Sequence, residues 1–322
     1  MRAARFHSFG ASTVLQVEEV PWPAPQRDEV LIRVHASSIN GTDLQFRGGQ
    51  LGPLLASQLP FTPGFDVAGE VVGGGPSVTA FAPGERVYAL LGHRGGGAAE
   101  YVAVRQSRIG PAPHSVSLVE AAAVPLSGLT ALQALRGEGH LKAGQRVLIY
   151  GASGGIGAFA VQLAKILGAH VTGVARAEKL EFVRQLGADV VLATGEVSWD
   201  AAPPYAQPYD LIFDTPAALH FDEVRQALSG QGVLVSSRGL PTSPGDVAAL
   251  LRRRGPRFAN VRTAERGLDL AYLSRLIEAG QLKIPVDRIF PISDIRGAHT
   301  YAEGPEVRGK VVVSLEASSG GR

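Results

Sequence analysis

The stretch Arg146–Gly168, R-V-L-I-Y-G-A-S-G-G-I-G-A-F-A-V-Q-L-A-K-I-L-G, limits the possible folds more than any other part of this chain. Val147 to Tyr150 is a short apolar, largely β-branched run, as expected of a strand covered on both faces. The run breaks at Gly151, Gly154, Gly155 and Gly157, and Phe159, Val161, Leu163, Ala164, Ile166 and Leu167 then recur at helical spacing up to Gly168. A glycine just past the last apolar position is a helix stop. Strand, glycine turn and helix together place free backbone N–H groups at a helix N-terminus, where a pyrophosphate can sit if no side chain blocks it. The pattern departs from the usual G-x-G-x-x-G, reading Ala152-x-Gly154-x-x-Gly157 with alanine at the first position.

The residues that follow make this more than a tight turn. His170 to Ala175 predicts a second strand, Lys179 to Leu186 a second helix ended by Gly187, and Val190 to Ala193 a third strand. Tyr209 to Asp214 and Gly232 to Ser237 predict two more strands, with a helix from Phe221 to Leu228 between them. Strands alternating with helices at this spacing build a parallel, doubly wound α/β sheet.

Residues 1 to about 120 have another texture. Short strands at Val30–Val34, Val67–Val72, Arg86–Leu91 and Tyr101–Val104 are separated by turn clusters such as Gly73-Gly-Gly-Pro76 and Pro83-Gly84. This pattern predicts a small β-barrel or sandwich. A largely helix-forming segment, Leu118–Leu135, opens the cofactor domain, which closes near Asn260. The last part returns to the first texture, with an amphipathic helix over Leu270–Ile277 and strands at Val286–Pro291 and Lys310–Leu315. The expected division is therefore a first domain of residues 1–120 completed by 261–322, and a dinucleotide-binding domain of residues 121–260, with a frayed tail from Ala317.

Composition excludes several functions. The 322 residues contain no cysteine, so disulfides, thiolate nucleophiles and cysteine-ligated zinc are ruled out. The net charge of +2 demands neither nucleic acid nor an anionic membrane. No apolar run approaches the ~18 residues of a membrane span, and the first ten residues lack a signal-peptide core; the expectation is a soluble, cytoplasmic protein.

These motifs resemble the medium-chain dehydrogenase/reductase superfamily, in its zinc-free quinone oxidoreductase-like branch. The resemblance is carried by A-S-S-I-N-G-T-D around Asn40, P-F-T-P-G-F-D-V-A-G-E-V at 60–71 and G-E-R-V-Y at 84–88. It continues through A-A-A-V-P-L-S-G-L-T-A at 121–131, the A-S-G-G-I-G turn, I-E-A-G-Q-L-K-I-P-V at 277–286 and R-G-K-V-V-V at 308–313. It implies a GroES-like substrate domain, a Rossmann cofactor domain, a cleft between them, and NADPH-linked reduction of quinones or α,β-unsaturated carbonyls.

The resemblance also carries over residue by residue. The zinc-dependent branch has cysteine where Asn40 stands and a His-Glu pair where this chain has Phe65-Asp66, so no metal is expected. Asn40 either donates its amide to a substrate carbonyl or, with Thr42 and Asp43, caps a turn or short helix. Gln45 and Arg47 follow on the expected cleft wall, Arg47 as an anion ligand or a solvated side chain. The proton-donating tyrosine of the enoyl-thioester reductases is matched by Leu51, which leaves Tyr88 as the alternative donor or as a core residue. Ser127 and Thr130 resemble residues packed beside the nicotinamide, and Lys310 resembles a residue near the cofactor phosphates.

Cofactor contacts are expected from Ala152, Ser153, Gly154, Gly155 and Ile156 at the turn, and from Asp214 and Ser236 at strand ends. The second strand ends at Arg176 with Lys179 close behind and no carboxylate at its tip, which favours the 2′-phosphate of NADPH over the 2′-hydroxyl of NADH. The run Leu251–Arg257 is read as a solvated loop before an edge strand, Phe258–Val261; the resemblance implies that this edge pairs with its counterpart in a homodimer. The predicted activity is zinc-independent, NADPH-dependent reduction of a small quinone or enone. An alcohol or aldehyde oxidoreductase and a non-catalytic NADPH- or RNA-binding protein are the alternatives.

Overall fold

The structure is a computed structural model and describes residues 1–50, 57–197, 199, 207–237, 240–252 and 254–316. Leu51, Arg253 and the tail from Ala317, each given a role or a state above, lie outside the described residues.

The chain forms two compact units, Met1–Leu126 with Glu265–Arg322, and Ser127–Ala264. The first unit begins with the antiparallel pair β1 (Arg2–Arg5) and β2 (Gln16–Glu19). It continues through β3 (Glu29–Ile39), α1 (Gly41–Arg47), β4 (Asp66–Gly74), β5 (Arg86–Leu90), β6 (Tyr101–Arg105), β7 (Ile109–Pro111) and α2 (Leu118–Ala121). The segment expected to be helical over Leu118–Leu135 is broken: α3 (Pro125–Leu132) starts afresh and passes into a π-helical turn at Gln133–Glu138. Proline lacks the N–H that would continue α2 but suits the first turn of a new helix.

The second unit holds β8 (Arg146–Tyr150), α4 (Gly155–Ile166), β9 (His170–Ala175), α5 (Leu180–Gln185), β10 (Val190–Ala193) and β11 (Tyr209–Asp214). It closes with α6 (Phe221–Val224), β12 (Leu228–Ser236), α7 (Pro244–Leu250) and β13 (Arg257–Asn260). The chain then returns to the first unit through α8 (Gly267–Glu278), β14 (Val286–Pro291), α9 (Ile295–Ala302) and β15 (Lys310–Ser314).

In the second unit six strands pair in the order β10-β9-β8-β11-β12-β13, every neighbouring pair parallel. Val147, Leu148, Ile149, Leu211, Ile212 and Phe213 are at most 1% exposed, because helices cover both faces of such a sheet. Each full burial of this kind contributes about 1.5–3 kcal/mol. The order reverses direction at β8, and ligands bind outside the carboxyl ends of the strands at such a switch point. The predicted parallel α/β architecture is the observed one. The helix expected at Phe221–Leu228 stops after one turn, and β12 begins earlier than Gly232, at Leu228 opposite Tyr209.

The first unit is built on a seven-stranded sheet in which β14-β15-β3-β4-β5-β7 lie side by side and β6 also pairs with β3. β3 is the hub. It is long enough to bond β6 along its first half, β15 along its second, and β4 along nearly all of it. Two pairings matter below: Asp66 on β4 sits opposite Ser38, and Val311 on β15 sits opposite Ile39. Strands far apart in sequence therefore converge on the carboxyl end of β3, where Asn40 begins α1. Among the described residues, no helix is long and apolar enough to cross a membrane.

Candidate functional site

The end of β3 gathers a buried polar cluster within the first unit: Ser38, Asn40, Asp43, Asp66 and Lys310, all at most 7% exposed. Asp66 Oδ2 accepts from the Asn40 amide at 2.9 Å and from Ser38 Oγ at 2.5 Å, while its Oδ1 accepts from the Leu126 N–H at 2.7 Å. The Lys310 ammonium donates to Asn40 Oδ1 and to the Ile39 carbonyl at 3.2 Å, and lies 3.5 Å from Asp66 Oδ2. An ammonium has three N–H donors, and these three acceptors occupy them.

Asn40 begins α1, but its side chain does not cap the helix. Asp43 performs that work instead, its Oδ2 accepting the Asn40 N–H at 2.9 Å and its Oδ1 the Gly64 N–H at 2.7 Å. The Asn40 side chain is turned to Lys310 and Asp66. Its amide nitrogen makes one short bond, to Asp66, and two long approaches, 3.3 Å to the Ser38 carbonyl and 3.5 Å to Asp43.

Burial shapes the charges in this cluster. Asp43 is pushed up to about 7 by desolvation, with the nearby Asp66 adding to the rise against two backbone N–H donors and Lys310. Burial drives Lys310 below the usual lysine range, and the Asp66 and Asp43 carboxylates pull it back.

Several residues are placed differently from their expected roles. Lys310 is neither a phosphate ligand nor a solvated strand end: it is 2% exposed and its donors are spent inside the cluster. Tyr88 is fully buried on β5, its hydroxyl donating to the Leu270 carbonyl at 2.7 Å and accepting from Ser274, so a proton-donor role gives way to a core role. Arg47 is not solvated; it is 1% exposed, and its guanidinium holds the Gly10 carbonyl and Glu303. Gln45 is exposed on α1, one turn beyond Asn40.

The glycine turn lies in the second unit. Gly151 has φ +78°, and a Cβ there would meet Thr215 Oγ1 at 2.6 Å and Pro216 Cδ at 2.8 Å, so glycine is required. Ala152 stands where the usual pattern has glycine because the left-handed residue is the one before it; its N–H simply bonds the Val174 carbonyl at 2.8 Å. Gly157 packs its Cα into the turn, where a Cβ would come within 2.2 Å of the Gly151 carbonyl. Gly154 differs: its Cβ would meet nothing nearer than 3.5 Å, which leaves open space above the first turn of α4. The N–H groups of Gly155, Ile156 and Gly157 have no acceptor within a helix that starts there, and Ser153 flanks them.

This cradle fits a dinucleotide phosphate. Around it, Arg176 is exposed at the tip of β9 and Lys179 is buried three residues on. Asp214 and Ser236 end neighbouring strands, and their side chains face inward: Asp214 accepts from Ala218 and Leu219 N–H groups and from Ser236 Oγ at 3.3 Å. These bonds shape the loops at the strand ends. Thr130 shares a 2.7 Å hydroxyl bond with Thr263. In the arginine run, Arg252 lies over the Phe221 ring at 5.2 Å and Arg257 bonds the Glu138 carbonyl at 2.8 Å.

The donor set around Asn40 does not fit zinc. It offers an amide and a carboxylate already bonded to an ammonium, with no imidazole or thiolate. Among the described residues, no group of three or more histidines or carboxylates is arranged to hold a metal ion.

Sequence reasoning singled out Asn40 but missed Lys310 as its partner and gave Asp66 no role of its own. The available signal was weak: a lysine opening an apolar strand, K-V-V-V, whose opposite strand is not readable without the pairing.

Comparison with known proteins agrees with this architecture. The family model for the alcohol dehydrogenase GroES-like domain matches residues 26–114, and the one for zinc-binding dehydrogenase matches residues 186–313. A chloroplast envelope quinone oxidoreductase homolog from Arabidopsis thaliana is 33% identical over 97% of this chain and 98% of its own length. An NADPH-dependent alkenal/one oxidoreductase, also from Arabidopsis thaliana, is 33% identical over 97% of this chain and 79% of its own. The solved structure of the quinone oxidoreductase from Coxiella burnetii superposes with a TM-score of 0.88 at 31% identity, covering 98% of this chain and 99% of that one.

Proposed function

Because this chain belongs to the quinone oxidoreductase-like branch of the medium-chain dehydrogenase/reductase superfamily and is an oxidoreductase, we propose that it reduces quinones or α,β-unsaturated carbonyls with NADPH and without zinc. The observation that carries this reading is the donor set at Asn40. Removing a proton from an alcohol is what a catalytic zinc makes feasible, and here an ammonium and two carboxylates fill the place where metal ligands would stand. An acceptor that is already electron-poor needs no such activation. Two relatives are named for quinone or alkenal/one oxidoreduction, one of them as NADPH-dependent, which supports the acceptor class and the cofactor.

The turn from Ala152 to Ile156 would hold the cofactor's pyrophosphate on backbone N–H groups, with Arg176 and Lys179 toward the 2′-phosphate and Thr130 nearer the nicotinamide. NADPH, when bound, supplies the hydride. Asn40 donates an amide N–H to the acceptor's carbonyl oxygen as negative charge gathers there, a stabilisation realised most strongly in the transition state. With Tyr88 in the core, solvent supplies the proton that completes an enone's reduction. The edge strand β13 and the apolar residues Val247, Leu250 and Leu251 beside it, 45%, 43% and 75% exposed, support a homodimer formed across that edge.

The test follows NADPH absorbance with a chelated enzyme and a panel of quinones and enones added singly. Acceptor-dependent oxidation that survives chelation and falls in Asn40→Ala is expected. Alcohol-dependent reduction of NADP⁺ that chelation abolishes would replace this reading with a metal-dependent one.

A further inference from the structure

The Lys310 side chain is 2% exposed, and its place in the cluster accounts for the orientation of one amide. Asn40 has an oxygen that can only accept and a nitrogen that can only donate. With a cation against one end and the Asp66 carboxylate against the other, the flipped amide would bring its NH2 toward the ammonium and its oxygen toward the carboxylate. Two repulsive contacts would replace two attractive ones. The amide is therefore locked, and its second N–H is held only by long hydrogen bonds, 3.3 Å to the Ser38 carbonyl and 3.5 Å to Asp43, which a substrate carbonyl can replace.

We propose that Lys310 is a positioning residue that acts through Asn40, fixing its amide as a hydrogen-bond donor and strengthening that donor toward a substrate carbonyl. This rests on the reading that Asn40 meets the substrate. Hydrogen bonds in a chain polarise one another in a low dielectric. An ammonium bonded to the amide oxygen draws electron density from the nitrogen and makes its N–H groups more acidic. The positive charge reaches the developing oxyanion by way of the amide while the ammonium itself stays buried. Asp66 holds the near N–H and balances the lysine, so the cluster keeps little net charge when Asp43 is protonated.

The experiment compares Lys310→Gln, Lys310→Arg, Asn40→Ala and the double variant Asn40→Ala with Lys310→Gln. Lys310→Gln should lower kcat roughly tenfold, less than the ~10²–10³ lost when an oxyanion donor is removed outright. The KM for NADPH should stay within about twofold. Lys310→Arg, which keeps the charge, should recover part of the loss. In the Asn40→Ala background Lys310→Gln should add no further loss, because the group it acts through is gone. The variant Lys310→Gln with Asp66→Asn removes both charges together; it keeps the test open if Lys310→Gln alone fails to fold, and its fall in kcat should be at least as large, because both groups that fix the amide are changed.

A second readout does not depend on turnover. The sequence has two asparagines, Asn40 and Asn260. In protein labelled with ¹⁵N-asparagine, the side-chain amide signal of Asn40 should move in Lys310→Gln while that of Asn260 stays. A higher KM for NADPH at unchanged kcat would overturn the proposal and return Lys310 to the cofactor. Losses that simply add in the double variant would overturn it as well, as would an unmoved Asn40 signal. A wild-type protein that reduces no acceptor removes the proposed function instead, and the amide signal still decides whether Lys310 holds Asn40.

Discussion

Lys310 Nζ lies 3.5 Å from Asp66 Oδ2, with the lysine side chain 2% exposed and the aspartate 0%. A buried pair of this kind adds little net stability compared with apolar residues, but removing one partner strands the other charge. Lys310→Met is expected to destabilise the first unit by about 3–5 kcal/mol. Adding Asp66→Asn should recover most of that loss, and urea denaturation of the three proteins measures both effects. If Lys310→Met cost no more than a surface substitution, the pair would not be buried as described.

Two other buried groups pull the acid behaviour of the fold in opposite directions. His299, buried against Arg47, is held down to about 3, mainly by desolvation and then by the arginine's charge. Unfolded, it takes a proton near pH 6.5, so below that pH it favours unfolding by about 1.4 kcal/mol per pH unit. Asp43 works the other way. It stays protonated in the fold up to about 7 and ionises near pH 4 when unfolded, so stability falls as pH rises between those values. From about pH 4 to 6.5 the folded state holds one proton on Asp43 and the unfolded state one on the histidine, and the slopes cancel. In that window these two groups together should add no net slope to the stability of the wild type, so each variant is read against it. His299→Phe should become more stable as pH falls, and Asp43→Asn less stable; denaturant melts at several pH values read both slopes.

Two glycines of the turn should behave differently. Gly151→Ala forces a side chain into a left-handed conformation and against Thr215, so it should lower the melting temperature and abolish NADPH binding together. The left-handed conformation alone costs about 1–2 kcal/mol. Gly154 has φ −80° and ψ 175°, which alanine adopts without strain. Gly154→Ala should leave the melting temperature unchanged and weaken NADPH binding by about tenfold or more, because its methyl group enters the space a phosphate needs. Equal affinity for NADPH in Gly154→Ala would place the phosphate elsewhere.

Arg176→Ala tests cofactor choice. A charge-assisted hydrogen bond contributes about 1.5–3 kcal/mol, so its loss should raise the KM for NADPH about tenfold to a hundredfold. The KM for NADH should change little. An equal rise for both cofactors would mean that Arg176 supports the loop rather than the 2′-phosphate.

Tyr88→Phe should behave as a core substitution. It removes the partner of the Leu270 carbonyl and of Ser274 Oγ, and is expected to cost about 1–3 kcal/mol of stability in a denaturant melt. A collapse of kcat with unchanged stability would restore Tyr88 as a proton donor.

Local pattern was enough for the first four strands of the second unit. The apolar runs at β8, β9, β10 and β11 are bounded by glycine and polar residues, and a parallel strand covered on both faces has no alternation to misread. β10, predicted over Val190–Ala193, and β11, predicted over Tyr209–Asp214, have those bounds in the structure. The first unit was less legible. β1 and β2 carry mixed charge at their exposed faces, and α1 and α9 are short helices whose apolar positions do not complete a second repeat.

The sequence by itself determined the strand–glycine–helix turn, because a left-handed glycine and an apolar strand are local properties of consecutive residues. It also determined that no thiolate is available anywhere in the molecule. Only the tertiary structure decided what the Asn40 side chain touches. β15 pairs with β3 across some 270 residues of chain, and its register sets Lys310 against the Asn40 amide. β4 brings Asp66 to the same point from the other side. Strand register is a long-range choice made by the whole sheet, so a lysine that reads as a phosphate ligand or a solvated end becomes a buried cation holding an amide in place.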